Sequence, residues 1–409
     1  MSDPKNAAST STSDSLGWAA RLTLKVAQRL RVGQLSLTLP NGDGHFEITG
    51  DMDGPSAALQ LHSYRLAGKL IRSGDVGFAE SYMAGEWDTP DLAALLYLLH
   101  LNEFYLLPNT PRLRRLAEWY RRGQHLFIRR NNRSGSRRNI SYHYDLGNDF
   151  YRLWLDETWA YSSAVFQHER QPLADAQRHK FDLLIDMLKL DETHHLLEIG
   201  CGWGGFAIHA AQRSGCRVTG ITLSTEQLNA ARQRAEAAGV SDRVEFRLQD
   251  YRDVPEQFDR VVSIEMYEAV GESYWPVYFR KIHDSLKASG RAVIQAITIQ
   301  HGQFDYYRNN VDFIQKYIFP GGMLASPEVF RQVAARAGLV TETAEFYGEH
   351  YAETLRRWHV RVQAARSDIV QQFDERFLRM WRYYLDYCRA GFTSGHIDMM
   401  QIALSKGEA

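Results

Sequence analysis

This sequence has few cysteines, no excess of charge and no long apolar run. Its longest apolar stretch, Leu92 to Leu107, is interrupted by His100, Asn102 and Glu103 and falls short of the ~20 residues that a membrane span needs. Residues 1–15 are rich in Ser, Thr and Asp without the basic-then-apolar order of a signal peptide, so we predict a disordered tail. We therefore expect no membrane-spanning segment.

The three cysteines, Cys201, Cys216 and Cys388, are an odd number without a disulfide-framework spacing, which favours a reducing cytoplasm. Lys and Arg total 48 against 49 Asp and Glu, so overall charge does not indicate a nucleic-acid partner. A chain of 409 residues is too long for one typical domain, and we expect two.

The charge is nevertheless uneven, because residues 111–138 hold ten arginines against one acid, Glu118. Arginine binds phosphate bidentately, and a polybasic segment is attracted to anionic lipid. Contact with lipid headgroups is the favoured interpretation, and a solvated linker is the alternative. Nucleic-acid binding ranks last because no recognition motif accompanies the arginines.

Periodicity divides the chain into a small domain and a larger catalytic one. We predict a lipid- or membrane-associated α+β domain over 16–110, an arginine-rich linker over 111–140 and the catalytic domain over 141–405. The first domain is expected to contain a helix over 18–31, a hairpin around Asn41–Gly44 and helices over 63–73, over 78–84 and from Asp91. The catalytic strands are predicted over 195–200, 216–222, 244–249, 258–264, 291–298 and 341–347.

The alternation of those strands with helices predicts an α/β fold, a doubly wound, Rossmann-like and mainly parallel sheet. The first strand of this sheet and the glycine loop that leads into the next helix have the sequence Leu196-Leu-Glu-Ile-Gly-Cys-Gly-Trp-Gly-Gly205. Its glycines let a ligand approach the backbone, and the helix start favours an anion. Gly200, Gly202 and Gly205 also fit a dinucleotide fingerprint, so this loop alone does not separate NAD from S-adenosylmethionine.

The following strand ends favour S-adenosylmethionine. A dinucleotide site needs an acidic side chain at the end of the second strand. Here the strand ends at Thr222 without one, and the next helix is expected to begin with a cap formed by Ser224 and Gln227. The third strand ends in Asp250 and Tyr251, a pair suited to an adenine amine and ring. A methyltransferase is therefore favoured over a dehydrogenase.

Six motifs in order resemble the cyclopropane-fatty-acyl-phospholipid synthase family over roughly residues 140–405. They are the glycine loop and residues 143–150, 222–227, 249–253, 266–271 and 316–326. The resemblance implies an S-adenosylmethionine-dependent methyltransferase. The expected cofactor site, including the positions taken from the loop and strand ends, consists of Tyr161, Ser162, Glu198, Gly200, Gly202, Gly204, Thr222, Gln227, Asp250 and Tyr251.

In that family a bicarbonate ion acts as the base. The resemblance places its glutamate at Glu268, its tyrosine at Tyr351 and its backbone ligand at Ile297. Ser163 stands where the family has cysteine, and Gln295 where it has histidine. Both can donate hydrogen bonds, so bicarbonate remains open as a second cofactor, with a changed outcome for ring closure.

Three other residues carry alternatives. Cys388 matches a cysteine considered for the family's active site, but a core position is favoured. His143 is expected to be a structural histidine, with a second base as the alternative. Glu265 is interpreted as a helix-start carboxylate.

Two aromatic insertions, 141–166 and 304–319, suggest a slot for an acyl chain and a dry environment for a cation. We predict methyl transfer to the cis double bond of unsaturated acyl chains in membrane phospholipid. The product is a cyclopropane or a methyl- or methylene-branched chain, including a furan-acid precursor. The expected enzyme is cytoplasmic and peripheral at the inner membrane surface, needs no metal and binds no nucleic acid, with a homodimer left open. A non-catalytic lipid-binding paralogue is the alternative.

Overall fold

The structure, a computed structural model, describes residues 16–106 and 146–407. The arginine-rich stretch, His143 and the N-terminal tail lie outside these residues. The described residues form two compact units. The first contains the N-terminal residues together with Glu375–Tyr383, and the second contains the residues from 146 to Asp374 and from Tyr384 onward.

The first unit is a four-stranded sheet with helices. Its strands, in the order β2-β1-β3-β4, are β1 (Val32–Thr38), β2 (His45–Thr49), β3 (Met52–Leu61) and β4 (Trp87–Asp88). The predicted hairpin is present as the antiparallel pair β1 and β2. Strand β3, which pairs in parallel with β1, was missed because Gly54 and Pro55 near its start are typical strand breakers.

The helices of this unit are α1 (Trp18–Ala27), α2 (Arg65–Met83), α3 (Leu92–Leu101) and α4 (Glu103–Leu106). The two helices predicted over 63–73 and 78–84 are one helical element, α2. It is interrupted at Gly74, whose φ of 57° and ψ of −130° are not helical. Among the described residues, no helix combines the length and the apolar character required to cross a membrane.

The second unit contains a seven-stranded sheet of order β10-β11-β9-β8-β5-β6-β7. The strands are β5 (His195–Ile199), β6 (Arg217–Thr222), β7 (Val244–Leu248), β8 (Phe258–Ile264), β9 (Leu286–Ile299), β10 (Leu339–Phe346) and β11 (Ile397–Lys406). Strands β5 to β9 are parallel. Strand β11, absent from the sequence prediction, lies antiparallel between β9 and β10.

Helices accompany this sheet as expected for a doubly wound fold. They are α5 (Asn148–Arg152), α6 (Leu173–Leu188), α7 (Gly205–Ser214), α8 (Thr225–Ala237), α9 (Trp275–Ser285), α10 (His301–Arg308), α11 (Pro327–Arg336), α12 (Gly348–Ala364), α13 (Arg366–Gln372) and, from Tyr384 onward, α14 (Glu375–Thr393). Leu197 and Val261 belong to one buried cluster, and their neighbours Leu196 and Val262 to another. Successive strand residues point to opposite faces, so both faces of the sheet are covered.

Candidate active site

The glycine loop joins β5 to α7 and forms a close cradle at the carboxyl edge of the sheet. Gly200, Gly202 and Gly204 all have positive φ, at 82°, 52° and 79°. A Cβ atom at Gly200 would lie 2.9 Å from Cγ of Met266, and one at Gly204 would lie 2.7 Å from the ring of Phe246. Only glycine fits such positions without strain, which leaves the backbone of the loop open to a ligand.

The next strand end is fixed by side-chain hydrogen bonds. Thr222 donates from Oγ1 to Oε1 of Gln227 over 2.8 Å, and Ser224 caps α8 by accepting a bond from the backbone N–H of Gln227. This is the cap that the sequence predicts. Thr222 and Gln227 together place polar side-chain atoms beside the glycine loop.

Asp250 differs from the expectation of a free adenine ligand. Its carboxylate accepts hydrogen bonds from Nε and Nη2 of Arg252 at 2.8 and 2.6 Å. Two residues on, Arg252 can fold back onto Asp250, and it lies 5.4 Å from the ring centre of Tyr251. The ring of Tyr251 thus has its predicted place at the strand end, while the carboxylate of Asp250 is already paired.

Lys180 is a buried site residue that the sequence analysis missed. Its Nζ donates to Oγ of Ser162 over 2.7 Å, and burial lowers its pKa to about 8. It faces the buried Glu198, whose pKa burial raises to about 8 while Lys180 acts in the opposite direction. The available signal was a lysine on the apolar face of α6, three and four residues from Gln177 and Leu184.

Glu265 accepts hydrogen bonds from three of the five positions that the family resemblance assigns to bicarbonate. Its carboxylate accepts from the backbone N–H of Ser163 at 2.8 Å, from Nε2 of Gln295 at 2.7 Å and from Oη of Tyr351 at 2.5 Å. The interpretation as a helix-start carboxylate is wrong. Glu265 follows the end of β8 with a left-handed φ of 50°, which turns its side chain toward these donors at a cost on the order of 1–3 kcal/mol.

Glu268 has fewer partners than the resemblance implies. One oxygen, Oε1, accepts from the backbone N–H of Ile297 at 2.5 Å, and the buried Oε2 has no hydrogen-bond partner in the described part of the chain. Burial, followed by the nearby Glu265, raises the pKa of Glu268 to about 8. Burial also raises the pKa of Glu265, but Tyr351, the N–H of Ser163, Lys180 and Gln295 lower it. The net pKa of Glu265 is raised as well, but its three hydrogen-bond donors favour a negative charge on Glu265 more than the single donor favours one on Glu268.

Two predicted positions act differently from their family counterparts. Ser163 contributes its backbone N–H, since its hydroxyl donates to the carbonyl of Ala164. Cys388 is a free thiol whose pKa is raised by burial, so it is not a nucleophilic thiolate.

The two aromatic insertions contribute rings that lie near each other, Tyr161 from the first and Phe319 from the second. Tyr161 shares a 2.8 Å hydrogen bond with Tyr384, and its ring centre lies 6.5 Å from that of Phe319. The partner of Glu265, Tyr351, stacks on Phe392 at 4.4 Å. Tyr351 thus links Glu265 to a group of aromatic rings, whose π faces are suited to a cation.

The arrangement fits one predicted cofactor and not the other. S-adenosylmethionine needs hydrogen-bond donors and acceptors that this site offers. They come from the glycine loop, the polar side chains of Thr222 and Gln227, and the buried Glu198. A bicarbonate ion does not fit, because the donors of Ser163, Gln295 and Tyr351 are already bonded to the carboxylate of Glu265.

Comparison with known proteins identifies the family of this chain. The family model "Mycolic acid cyclopropane synthetase" matches residues 131–402. Tuberculostearic acid methyltransferase UfaA1 of Mycobacterium tuberculosis is 41% identical over 95% of this chain and 92% of its own length. Cyclopropane-fatty-acyl-phospholipid synthase of Escherichia coli K12 is 35% identical over 83% and 85%.

A solved structure, mycolic acid cyclopropane synthase CmaA1 complexed with SAH and CTAB, is 31% identical. It covers 66% of this chain and 98% of its own, with a TM-score of 0.62. The predicted fold and the predicted S-adenosylmethionine cofactor are thus confirmed. The chain belongs to the mycolic acid cyclopropane synthetase family and is an S-adenosylmethionine-dependent methyltransferase, whose relatives are named for the modification of lipid acyl chains.

Proposed function

We propose that this enzyme methylates the cis double bond of unsaturated acyl chains in membrane phospholipid and releases a methyl- or methylene-branched product, with Glu265 as the base. The observation that carries the proposal is the carboxylate of Glu265 on the donors of Ser163, Gln295 and Tyr351. A protein side chain thereby takes the part that the family resemblance gives to bicarbonate.

The chemistry requires both a dry pocket and a base. S-adenosylmethionine, when bound, supplies an electrophilic methyl group. The π electrons of the alkene form the new carbon–carbon bond, the electron pair of the broken carbon–sulfur bond stays on sulfur, and the other alkene carbon becomes cationic. The rings of Tyr161, Phe319 and Tyr384 would shield this cation from water and stabilise it by ~0.5–2 kcal/mol each.

The position from which the proton leaves decides the product. Loss from the new methyl group as a bond closes gives a cyclopropane, whereas loss from a neighbouring chain carbon gives a methyl-branched alkene. A hydride shift to the cationic carbon, followed by loss of a proton from the methyl group, gives a methylene branch (C=CH2) on the chain. In each case Glu265 takes the proton and becomes neutral. A carboxylate tethered to β8 has less freedom than a bound ion, and the 41% identical relative is named for methylation and not for ring formation; both support a branched product.

The test is methyl transfer from labelled S-adenosylmethionine to vesicles of dioleoyl phospholipid, with dipalmitoyl vesicles as the saturated control. Label is expected only in the oleoyl chains. Since ring closure and methyl substitution add the same atoms, proton NMR must identify the product. Vinylic or methylene protons are expected, and cyclopropane protons as the main signal would refute the branched product. Absence of label from the oleoyl chains would refute the substrate.

A further inference from the structure

Two glutamines face each other behind the proposed base. Gln401 of β11 lies directly opposite Gln295 of β9 in the antiparallel ladder, and both side chains are fully buried. Gln401 donates from Nε2 to Oε1 of Gln295 over 3.0 Å. Gln295 donates from its own Nε2 to Glu265 over 2.7 Å. The two amides therefore form a hydrogen-bonded chain that points at the carboxylate.

The direction of this chain matters because the two ends of a glutamine amide have nearly the same shape. If Gln295 turned over, its Oε1 would face the carboxylate of Glu265 and two acceptors would oppose each other. The N–H of Gln401 favours the productive orientation by bonding Oε1 of Gln295. Each amide thus fixes the direction of the next.

The amide of Gln401, at the outer end of this hydrogen-bonded chain, carries an energetic cost. Oε1 of Gln401 is buried and has no hydrogen-bond partner among residues 16–106 and 146–407. A buried acceptor without a partner is unfavourable, and an apolar side chain of similar size would avoid this cost. Simple packing therefore does not account for a glutamine at this position.

We propose that Gln401 is a positioning residue of the enzyme, which acts through Gln295 to hold the carboxylate of Glu265 in its reactive orientation. The inference rests on the proposed role of Glu265 as base. It assigns a function to β11, the strand that sequence analysis did not predict.

The inference implies a pH effect. Without the bond from Gln401, Gln295 populates both orientations and Glu265 loses part of a donor that favours its charged form. Other ionisable groups around Glu265 come from four elements and are unchanged by the substitution. They are Lys180 of α6, Glu268 of the turn after β8, Tyr351 of α12, and Tyr384 and Cys388 of α14.

The experiment is a double-mutant cycle of Gln401→Met and Gln295→Met, with kcat/KM measured against pH and unfolding followed by heat. Gln401→Met should lower kcat/KM roughly tenfold at neutral pH and move the acid limb at least about 0.5 pH units upward. In the Gln295→Met background it should have no further effect. Ser405→Ala, on the same strand, is the control and should resemble wild type.

Independent, additive losses in the cycle, or an unmoved acid limb in Gln401→Met, would overturn the inference. Gln401→Leu provides a second substitution should the methionine variant unfold. An inactive wild type on unsaturated vesicles would instead refute the proposed function. The inference fails separately when the wild type is active and both variants at 401 retain its pH profile.

Discussion

At the scale of single residues, two carboxylates three positions apart have different environments. Glu265 has three hydrogen-bond donors and a nearby lysine, whereas Glu268 has one donor and a buried oxygen without a partner in the described residues. The pKa of a carboxyl group follows its donors and its burial. Two glutamates in one motif therefore differ in how strongly the protein favours their charged form.

This difference predicts opposite outcomes for two conservative substitutions. Glu265→Gln cannot accept a proton, so we expect a loss of about 10²–10⁴-fold in kcat with cofactor affinity unchanged. Glu268→Gln imitates a carboxyl group that is already neutral near pH 7 and should stay within about tenfold of wild type. The sequence resemblance alone predicts that Glu268→Gln abolishes turnover. Single-turnover rates and calorimetric cofactor binding distinguish the two assignments.

The donors around Glu265 also predict chemical rescue. Glu265→Gly removes the carboxylate and suits the left-handed backbone at this position. We expect an inactive enzyme that regains part of its rate with added formate or bicarbonate, because these anions can bind the freed donors. Glu265→Gln still fills the space and should not respond. Stimulation of the wild type by bicarbonate would contradict the assignment.

At the scale of elements, α12 holds the segment that contains Ser163. Thr354 accepts from the N–H of Ala164, and His350 accepts from the N–H of Phe166. Arg357 donates to the carbonyls of Glu169 and Gln171. Because Tyr351 lies on the same helix, α12 fixes the base and the segment opposite it together.

Two adjacent arginines allow a matched test of this role. Arg357→Met should lower the free energy of unfolding by about 1–3 kcal/mol, since it removes the charged donor from the exposed carbonyl of Glu169 and the part-buried carbonyl of Gln171. The side chain of the neighbouring Arg356 is exposed and, within the described residues, hydrogen-bonds only to Glu353. Arg356→Met should therefore cost less than about 1 kcal/mol. Urea unfolding measures both. Equal losses would show that the carbonyl contacts contribute little.

The sequence predicts elements better than it predicts partners. The route from β5 through Gly200 to α7, and the cap of α8 by Ser224, follow from local patterns and are confirmed. Glu265 lacks a local signal, because its donors come from Ser163, Gln295 and Tyr351, which are remote in sequence. Strand β11 was missed because its sequence does not alternate between apolar and polar residues. Its buried Gln401 is explained only by the pairing with Gln295, which the sequence does not reveal.

At the scale of the whole molecule, Glu268 predicts a dependence of stability on pH. Its pKa is about 4.5 as a free side chain and about 8 in the folded protein. The folded state binds this proton more tightly than the unfolded state does. Proton binding at Glu268 therefore stabilises the fold fully below about pH 4.5, and this stabilisation is lost as pH rises toward about 8. Burial of this carboxyl group therefore destabilises the fold progressively over that interval.

Glu268→Gln cannot ionise, so its stability relative to wild type should increase between pH 5 and pH 8 by about 1–3 kcal/mol. Thermal unfolding at both pH values measures the difference. The exposed Glu236→Gln serves as the control and should show none. A constant difference for Glu268→Gln would mean that Glu268 is ionised in the folded protein throughout.

The left-handed backbone at Glu265 also bears on how such enzymes evolve. Glycine fits this backbone best, and the codons for glutamate and glycine differ by a single nucleotide. A single nucleotide change could therefore exchange an inherited base for one drawn from dissolved carbon dioxide, without any need to rebuild the backbone. With glutamate at this position the base is encoded in the gene, whereas with glycine the base would depend on the bicarbonate dissolved around the enzyme.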